Sequence, residues 1–348
     1  MHPLATFCLL SALGLGTILT LSSSHWLLAW VGLEMNTLAI LPLMAHKHHP
    51  RAVEATTKYF LIQTTAAAMI LFANLINAWL TGEWVILQLS HPLTASLSTI
   101  ALALKLGLAP THLWLPEVIQ GLDLTNGLII STWQKLAPFA LMAQITPSTD
   151  PRLLTGLGLL SILVGGWGGL NQTQLRKILA YSSIAHLGWT LLIMQLSPSL
   201  ALLSLLTYIL LTSMTFSSLK IFNCTNLNNL ATSWAKAPTL GTLLPPTLLS
   251  LAGLPPLSGF MPKWLIINEM TKQELQLPAT MAALSTLLSL YFYLRLAYTI
   301  TLTTPPNISS KTTPWRLTPL PNHPSLAILS STALGILPLA PTTLALLG

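Results

Sequence analysis

Four ionisable residues stand inside long apolar runs of this 348-residue chain: Glu34, Lys105, Lys135 and Lys263. The chain is 52% hydrophobic and only 7% charged, against about 25% charged residues in an ordinary soluble protein, so each charge can be placed individually. A charge at the centre of a bilayer costs about 2.5–3.5 kcal/mol on insertion scales; such residues face a bundle interior or a wet cavity and are functional candidates by default. The chemistry open to them is proton transfer. A lysine held between desolvation, which disfavours its charge, and a nearby carboxylate, which favours it, can release and rebind a proton when its partner changes.

Two of the lysines lie beside matching interruptions. Residues 107–117 read GLAPTHLWLPE and residues 253–263 read GLPPLSGFMPK. Both fit Gly-Leu-x-Pro, five residues, then Pro and an ionisable residue. A Gly/Pro break in corresponding apolar segments of two halves is the sequence pointer to an inverted-repeat transporter. The breaks differ in charge: Lys105 precedes the first by two residues, whereas Leu251 holds the matching place before the second, and Lys263 matches Glu117. This pattern predicts a lateral chain of distinct proton sites rather than two copies of one site.

Each residue has a plainer reading beside the functional one. Glu34, in WVGLEMNTLAILP, is either the carboxylate partner of a buried Lys or a carboxyl satisfied by one interhelical hydrogen bond. Lys105 lies about eleven residues into its run, roughly 16 Å deep and too far in to snorkel; its alternative is a static ion pair. Lys135, in STWQKLAPFA, precedes Pro138, which weakens the local ladder and leaves carbonyls for water or a proton carrier. Lys263 either joins the proton sites or snorkels to the outer side. Lys220, near the inner end of its run, is expected to snorkel, and Arg295 to act as a fixed counter-charge. His112, at the first break, and His186, within a run, are relay members or packed hydrogen-bonders. Glu117 and Asp123 are expected to be solvated. The loop HKHHPR at 46–51 reads as a solvated inner loop rather than a metal site. GGWGG at 165–169 follows no strand, so it favours close helix packing over dinucleotide binding.

The elements that must position these residues are helices. The fold class is an all-α polytopic membrane protein, with about eleven apolar runs of spanning length: 3–21, 25–44, 59–80, 94–123 (broken), 126–145, 153–170, 178–196, 200–222, 243–269 (broken), 275–302 and 325–347. Trp26, Trp79, Trp84 and Trp315 lie near run ends, as an interfacial belt requires. Alternate connections hold Lys47, Arg51, Lys58, Arg176, Lys177, Lys236, Lys311 and Arg316 on one side, against Arg152 and Lys272 on the other. That bias puts the N-terminus on the inner side. Five spans separate Gly107 from Gly253, and an odd number reverses direction. Residues 1–348 therefore read as one transmembrane domain of two inverted five-helix units, 3–146 and 151–303, with an appended helix at 325–347. Despite a pI near 9.6, no basic cluster is large enough to cover a phosphate backbone, so nucleic acid is not an expected partner. Cys8 and Cys224 suggest no disulfide framework or metal site. No signal or transit peptide is expected, and no haem, flavin or iron–sulfur ligand set is visible.

WVGLEMNTLAILP, KLGLAPTHLWLPE, STWQKLAP, LRKILAYSSIAHLGW and LAGLPPLSGFMPKW together resemble the antiporter-like membrane-arm subunits of respiratory complex I over nearly the whole length. The resemblance implies two inverted five-helix units, each with a discontinuous helix, in a form lacking three N-terminal helices of bacterial relatives. It implies a Glu–Lys pair at Glu34 and Lys105, a central lysine at Lys135 and a broken-helix lysine at Lys263, on a hydrated axis linked to proton translocation. It further implies a multi-pass protein of the mitochondrial inner membrane, N-terminus in the matrix, beside other membrane-arm subunits, with NADH, flavin, iron–sulfur clusters and ubiquinone handled by other subunits and no cofactor bound by this chain. The competing readings are a stand-alone cation/proton antiporter of the same fold and a structural membrane subunit without a proton path.

Overall fold

A computed structural model describes residues 2–46, 48–233, 237–303, 324–335, 337–339 and 342. Lys47, Lys236, Lys311, Trp315, Arg316 and most of 336–347 lie outside the described residues. Regular structure among the described residues is helical, with two isolated β-bridges, His25 to Val85 and Gln174 to Asn226.

The chain divides into two compact units, Met1–Ser161 and Ile162–Gly348. The first holds α1 (Pro3–Ser22), α2 (Trp26–Met44), α3 (Pro50–Thr81), α4 (Pro92–Leu106), α5 (Trp114–Gly121), α6 (Leu124–Ser131) and α7 (Trp133–Ile145). Helix α8 (Pro151–Gly169) begins in the first unit and ends in the second. The second continues with α9 (Leu175–Met194), α10 (Pro198–Phe222), α11 (Leu227–Ala231), α12 (Pro238–Ala252), α13 (Phe260–Lys272), α14 (Gln276–Thr301) and α15 (Pro324–Gly335). Among the described residues seven helices, α1, α2, α3, α8, α9, α10 and α14, are each long and apolar enough to cross a membrane.

Helix starts follow from local chemistry. Proline opens α1, α3, α4, α8, α10, α12 and α15, where its missing N–H is no loss and its φ suits the first turn. Histidine precedes four helices of the first unit. The Nδ1 atoms of His2, His25, His49 and His91 accept from the N–H of Leu4, Leu27, Arg51 and Leu93 at 3.4, 3.2, 3.3 and 3.3 Å. One histidine of the 46–51 loop is therefore a helix cap. Among the described residues no group of three or more His, Cys, Asp and Glu side chains could hold a metal ion.

Three boundaries correct the sequence reading. Helix α3 starts at Pro50 rather than at residue 59, so Arg51 and Lys58 belong to a helix and not to a connection. Helix α12 starts at Pro238 rather than at residue 243 and runs through Pro245 and Pro246. The fifth run is interrupted at Thr132, with φ −118° and ψ −69°, whereas α7 passes through Pro138. The Thr132 hydroxyl donates to the Leu128 carbonyl at 2.7 Å, the same oxygen its own N–H reaches at 3.0 Å. Such back-bonding bends a helix.

Within the second unit α9 is central: 83% of its spanning window is buried, against 33% for α14. The GGWGG stretch makes that possible. A Cβ at Gly165 would lie 2.7 Å from the Ala185 nitrogen and 2.9 Å from the Tyr181 carbonyl, and Cβ atoms at Gly168 and Gly169 would strike the rings of Tyr181 and Phe292. Gly165→Val is expected to destabilise the α8–α9 contact by about 1–3 kcal/mol, read as reduced steady-state amount of the chain in membranes. An unchanged amount would count against this packing.

Candidate functional site

Both breaks use one backbone device. Helix α4 ends at Gly107 (φ 78°), whose N–H bonds the Ala103 and Leu104 carbonyls, and the Leu108 N–H returns to Ala103. Helix α12 ends at Gly253 (φ 83°), bonded to Leu249 and Ser250, with the Leu254 N–H returning to Leu249. This is the left-handed glycine stop. Side chains meet the carbonyls of the two breaks differently. In the first unit the Trp114 indole, at the start of α5, donates to the Leu104 carbonyl at 3.1 Å. In the second, Lys263, in the first turn of α13, donates from Nζ to the Ala252 carbonyl at 2.7 Å; Pro256, four residues on, has no N–H to offer. Lys263 therefore points back into the break and does not snorkel outward. Helix α15 meets the same break, where the Ser258 hydroxyl donates to the Ala333 carbonyl.

The Trp114 cap leaves Lys105 uncommitted. Its side chain is 5% exposed, and its Nζ is buried without a hydrogen-bond partner. It sits in the last turn of α4, at the negative end of the helix dipole, and Glu34 acts on it through space without a direct contact. The expected Glu34–Lys105 pair is not a direct contact. Glu34 instead accepts from the Thr37 hydroxyl at 2.9 Å. Lys105 and Lys135 line one cavity of about 10 Å³ with Thr37, Tyr59, Gln63 and Gln134, roughly the space one water requires. Lys135 is 2% exposed and follows the Thr132 interruption by three residues. Gln63, 3% exposed on α3, escaped the sequence reading; the signal was an amide in the apolar run 59–80.

The second unit has a cavity of about 20 Å³ that joins Lys263 to His186, Tyr208, Ser204 and Thr207. His186 Nε2 lies 3.4 Å from the Tyr293 hydroxyl, and its ring is 5.4 Å from that of Tyr208. His112 is placed otherwise: its Nδ1 meets the Pro110 carbonyl of its own break at 3.2 Å, and it does not line the first cavity. Arg295 donates to the Leu170 carbonyl at 3.2 Å, tying α14 to the end of α8. Lys220 is exposed at the end of α10. Glu117 is not merely solvated. It pairs with Lys58 at 2.9 Å, and Lys58 also pairs with Glu54 at 2.7 Å, on an exposed face of α3 and α5.

Residues 23–289 match the family described as NADH:quinone oxidoreductase/Mrp antiporter, TM, and residues 290–344 match NADH dehydrogenase subunit 2 C-terminus. NADH-ubiquinone oxidoreductase chain 2 of Salmo salar is 66% identical over 347 residues, covering 100% of this chain and 99% of that one. The protein of that name from Danio rerio is 58% identical over 346 residues, 99% of each chain. The chain belongs to the NADH-ubiquinone oxidoreductase chain 2 family. It is a core membrane-arm subunit of complex I, a multi-pass mitochondrial membrane protein with the antiporter-like fold. A chain of respiratory complex I from Thermus thermophilus superposes with a TM-score of 0.83 at 29% identity, covering 100% of this chain and 78% of that one. The Mrp complex of Dietzia shares the fold at a TM-score of 0.76 and 20% identity, covering 97% of this chain and 74% of that one. The redox activity is that of the complex, and this chain is a subunit of it.

The two left-handed glycines Gly253 and Gly82 make a controlled pair. A Cβ at Gly253 would lie 2.8–3.1 Å from the Lys263 side chain, whereas around Gly82 (φ 76°) nothing lies within 4 Å. Both Ala substitutions cost about 1–2 kcal/mol of backbone strain. Gly253→Ala is expected to depress proton pumping per NADH oxidised, and Gly82→Ala to leave that ratio unchanged, measured in reconstituted complex. Equal ratios in both variants would mean that the Lys263–Ala252 contact does not bear on pumping.

Proposed function

We propose that this subunit takes part in proton translocation through a lysine site in each unit: Lys105 and Lys135 under the influence of Glu34, and Lys263 beside His186. The observation that carries the reading is Lys105, a buried lysine whose Nζ has no hydrogen bond, sharing a water-sized cavity with Lys135. Its charge is supported only through space, by Glu34 and the end of α4. Neutralising or moving Glu34 withdraws part of that support, and a cavity water can then take the proton toward Lys135. A structural subunit would gain nothing from an unpaired buried charge, which costs several kcal/mol to desolvate.

The same reading puts the chain in the mitochondrial inner membrane with its N-terminus in the matrix, on the eight-to-two excess of loop and helix-end basic residues. The parity of spans between Gly107 and Gly253 supports inverted units at 3–146 and 151–303 with an appended helix at 325–347. Neighbouring antiporter-like subunits and other membrane-arm subunits are the partners that could displace Glu34.

Lys105→Met and Lys135→Met, introduced singly, are each expected to lower pumping-coupled turnover by about tenfold, equivalent to about 1.4 kcal/mol on the barrier. The measurement is NADH oxidation and proton uptake by assembled complex in liposomes. Normal assembly with unchanged turnover and unchanged proton-to-electron ratio would favour the structural reading instead.

A further inference from the structure

We infer that Gln63 is a positioning residue for the proton step between Lys105 and Lys135: its neutral amide holds the water that carries the proton and does not compete for the charge. The inference rests on the reading of those two lysines as proton carriers. Gln63 is 3% exposed on α3, and the buried positions that follow it along that helix, Ala66, Ala67 and Ile70, are apolar. An amide set into such a stripe costs free energy unless it is hydrogen-bonded, so it calls for a polar task.

The first break sets the level of Gln63. Helix α3 packs against α2, α4 and α5. Tyr59, one turn before Gln63, meets the Trp114 ring at 5.8 Å and 60°, and the Trp114 indole holds the carbonyl of Leu104, the residue before Lys105. Gln63 lies about 6 Å further along the α3 axis and lines the same cavity as Tyr59, Thr37, Gln134, Lys105 and Lys135. Two of these neighbours already have a donor committed elsewhere. Thr37 donates to the Glu34 carboxylate at 2.9 Å, and Gln134 donates from Nε2 to the Asn36 carbonyl at 3.4 Å.

The cavity, about 10 Å³, has room for one water, and a buried water needs about two to four polar partners. Lys105 Nζ, which has no hydrogen bond to the protein, supplies one. In the step the Lys105 ammonium gives a proton to the water, and the water gives one to the Lys135 amine. Lys105 is left as an amine, Lys135 becomes an ammonium and the water is restored. The water's other sites are best answered by a group that neither gains nor loses a proton. An amide does this, because its carbonyl accepts and its NH2 donates whatever the charge of the lysines. A carboxylate in the same place would take the Lys105 ammonium in a charge-assisted bond and hold the proton there. An apolar side chain would leave the water short of partners. The titratable and charged groups facing the step are Lys105 from α4, Lys135 from α7 and Tyr59 from α3, with Glu34 of α2 acting through space.

The test is a cycle of Gln63→Met, Lys105→Met and the double variant in assembled, liposome-reconstituted complex, with Gln63→Glu beside it. Methionine keeps the length of the side chain and removes its hydrogen bonds. Gln63→Met is expected to lower pumping-coupled turnover about tenfold on the natural background and by less than about twofold on the Lys105→Met background, where the step it serves is already gone. Gln63→Glu is expected to move the pH midpoint of turnover up by about one unit, because the added carboxylate favours the protonated lysine and release then needs more alkaline conditions. It carries the test if Gln63→Met fails to assemble. Equal losses on both backgrounds, or normal turnover in Gln63→Met, or an unmoved midpoint in Gln63→Glu, overturn the inference alone when Lys105→Met still impairs pumping. Undiminished pumping in Lys105→Met overturns instead the reading of Lys105 as a carrier, and the inference falls with it.

Discussion

A helix broken inside a membrane leaves carbonyl groups with no water to receive them, and the rest of this protein's chemistry depends on how each break answers that demand. Left-handed glycines at Gly107 and Gly253 close the last turns of α4 and α12 in the same way. Different side chains reach into the two breaks. An indole from α5 serves Leu104, and an ammonium from α13 serves Ala252. The first solution spends no charge, so Lys105 is left buried and unpaired one residue from the carbonyl that Trp114 occupies. The second commits a lysine to the break itself.

The electrostatic consequences differ accordingly. Lys105 has no hydrogen-bond partner and is coupled to Glu34 only through space, in a medium of low dielectric. Thr37 holds the Glu34 carboxylate on α2, away from direct contact. Lys263 is anchored by a short hydrogen bond and looks into a cavity with a histidine and two tyrosines nearby. The exposed Glu54–Lys58–Glu117 group lies outside this buried chemistry; ion pairs so open to solvent hold little energy.

Much of this was legible in residue order. Apolar runs marked the helices, and the Gly-Leu-x-Pro templates marked both interruptions, because a glycine and a proline act on their own backbone. Where neighbours or unusual caps decided the outcome, the reading drifted. Arg51 and Lys58 looked like loop residues, yet His49 and Pro50 start α3 ahead of them. Pro138 looked like the weak point of the fifth run, yet the Thr132 hydroxyl interrupts it earlier. Glu117 looked solvated because its partner Lys58 stands 59 residues away in sequence.

Composition and order by themselves determined a polytopic helical membrane chain, two stops at Gly107 and Gly253, and the small set of ionisable residues inside its apolar runs. They did so because insertion into a bilayer penalises every charge and every open carbonyl residue by residue. Only the tertiary structure decided which of those residues share a cavity. Lys105 meets Lys135 and Gln63; Lys263 meets His186 and Tyr208; His112 turns to its own loop. The reason is physical: a side chain's partners come from whichever helix packs across from it, and no local spacing encodes that choice.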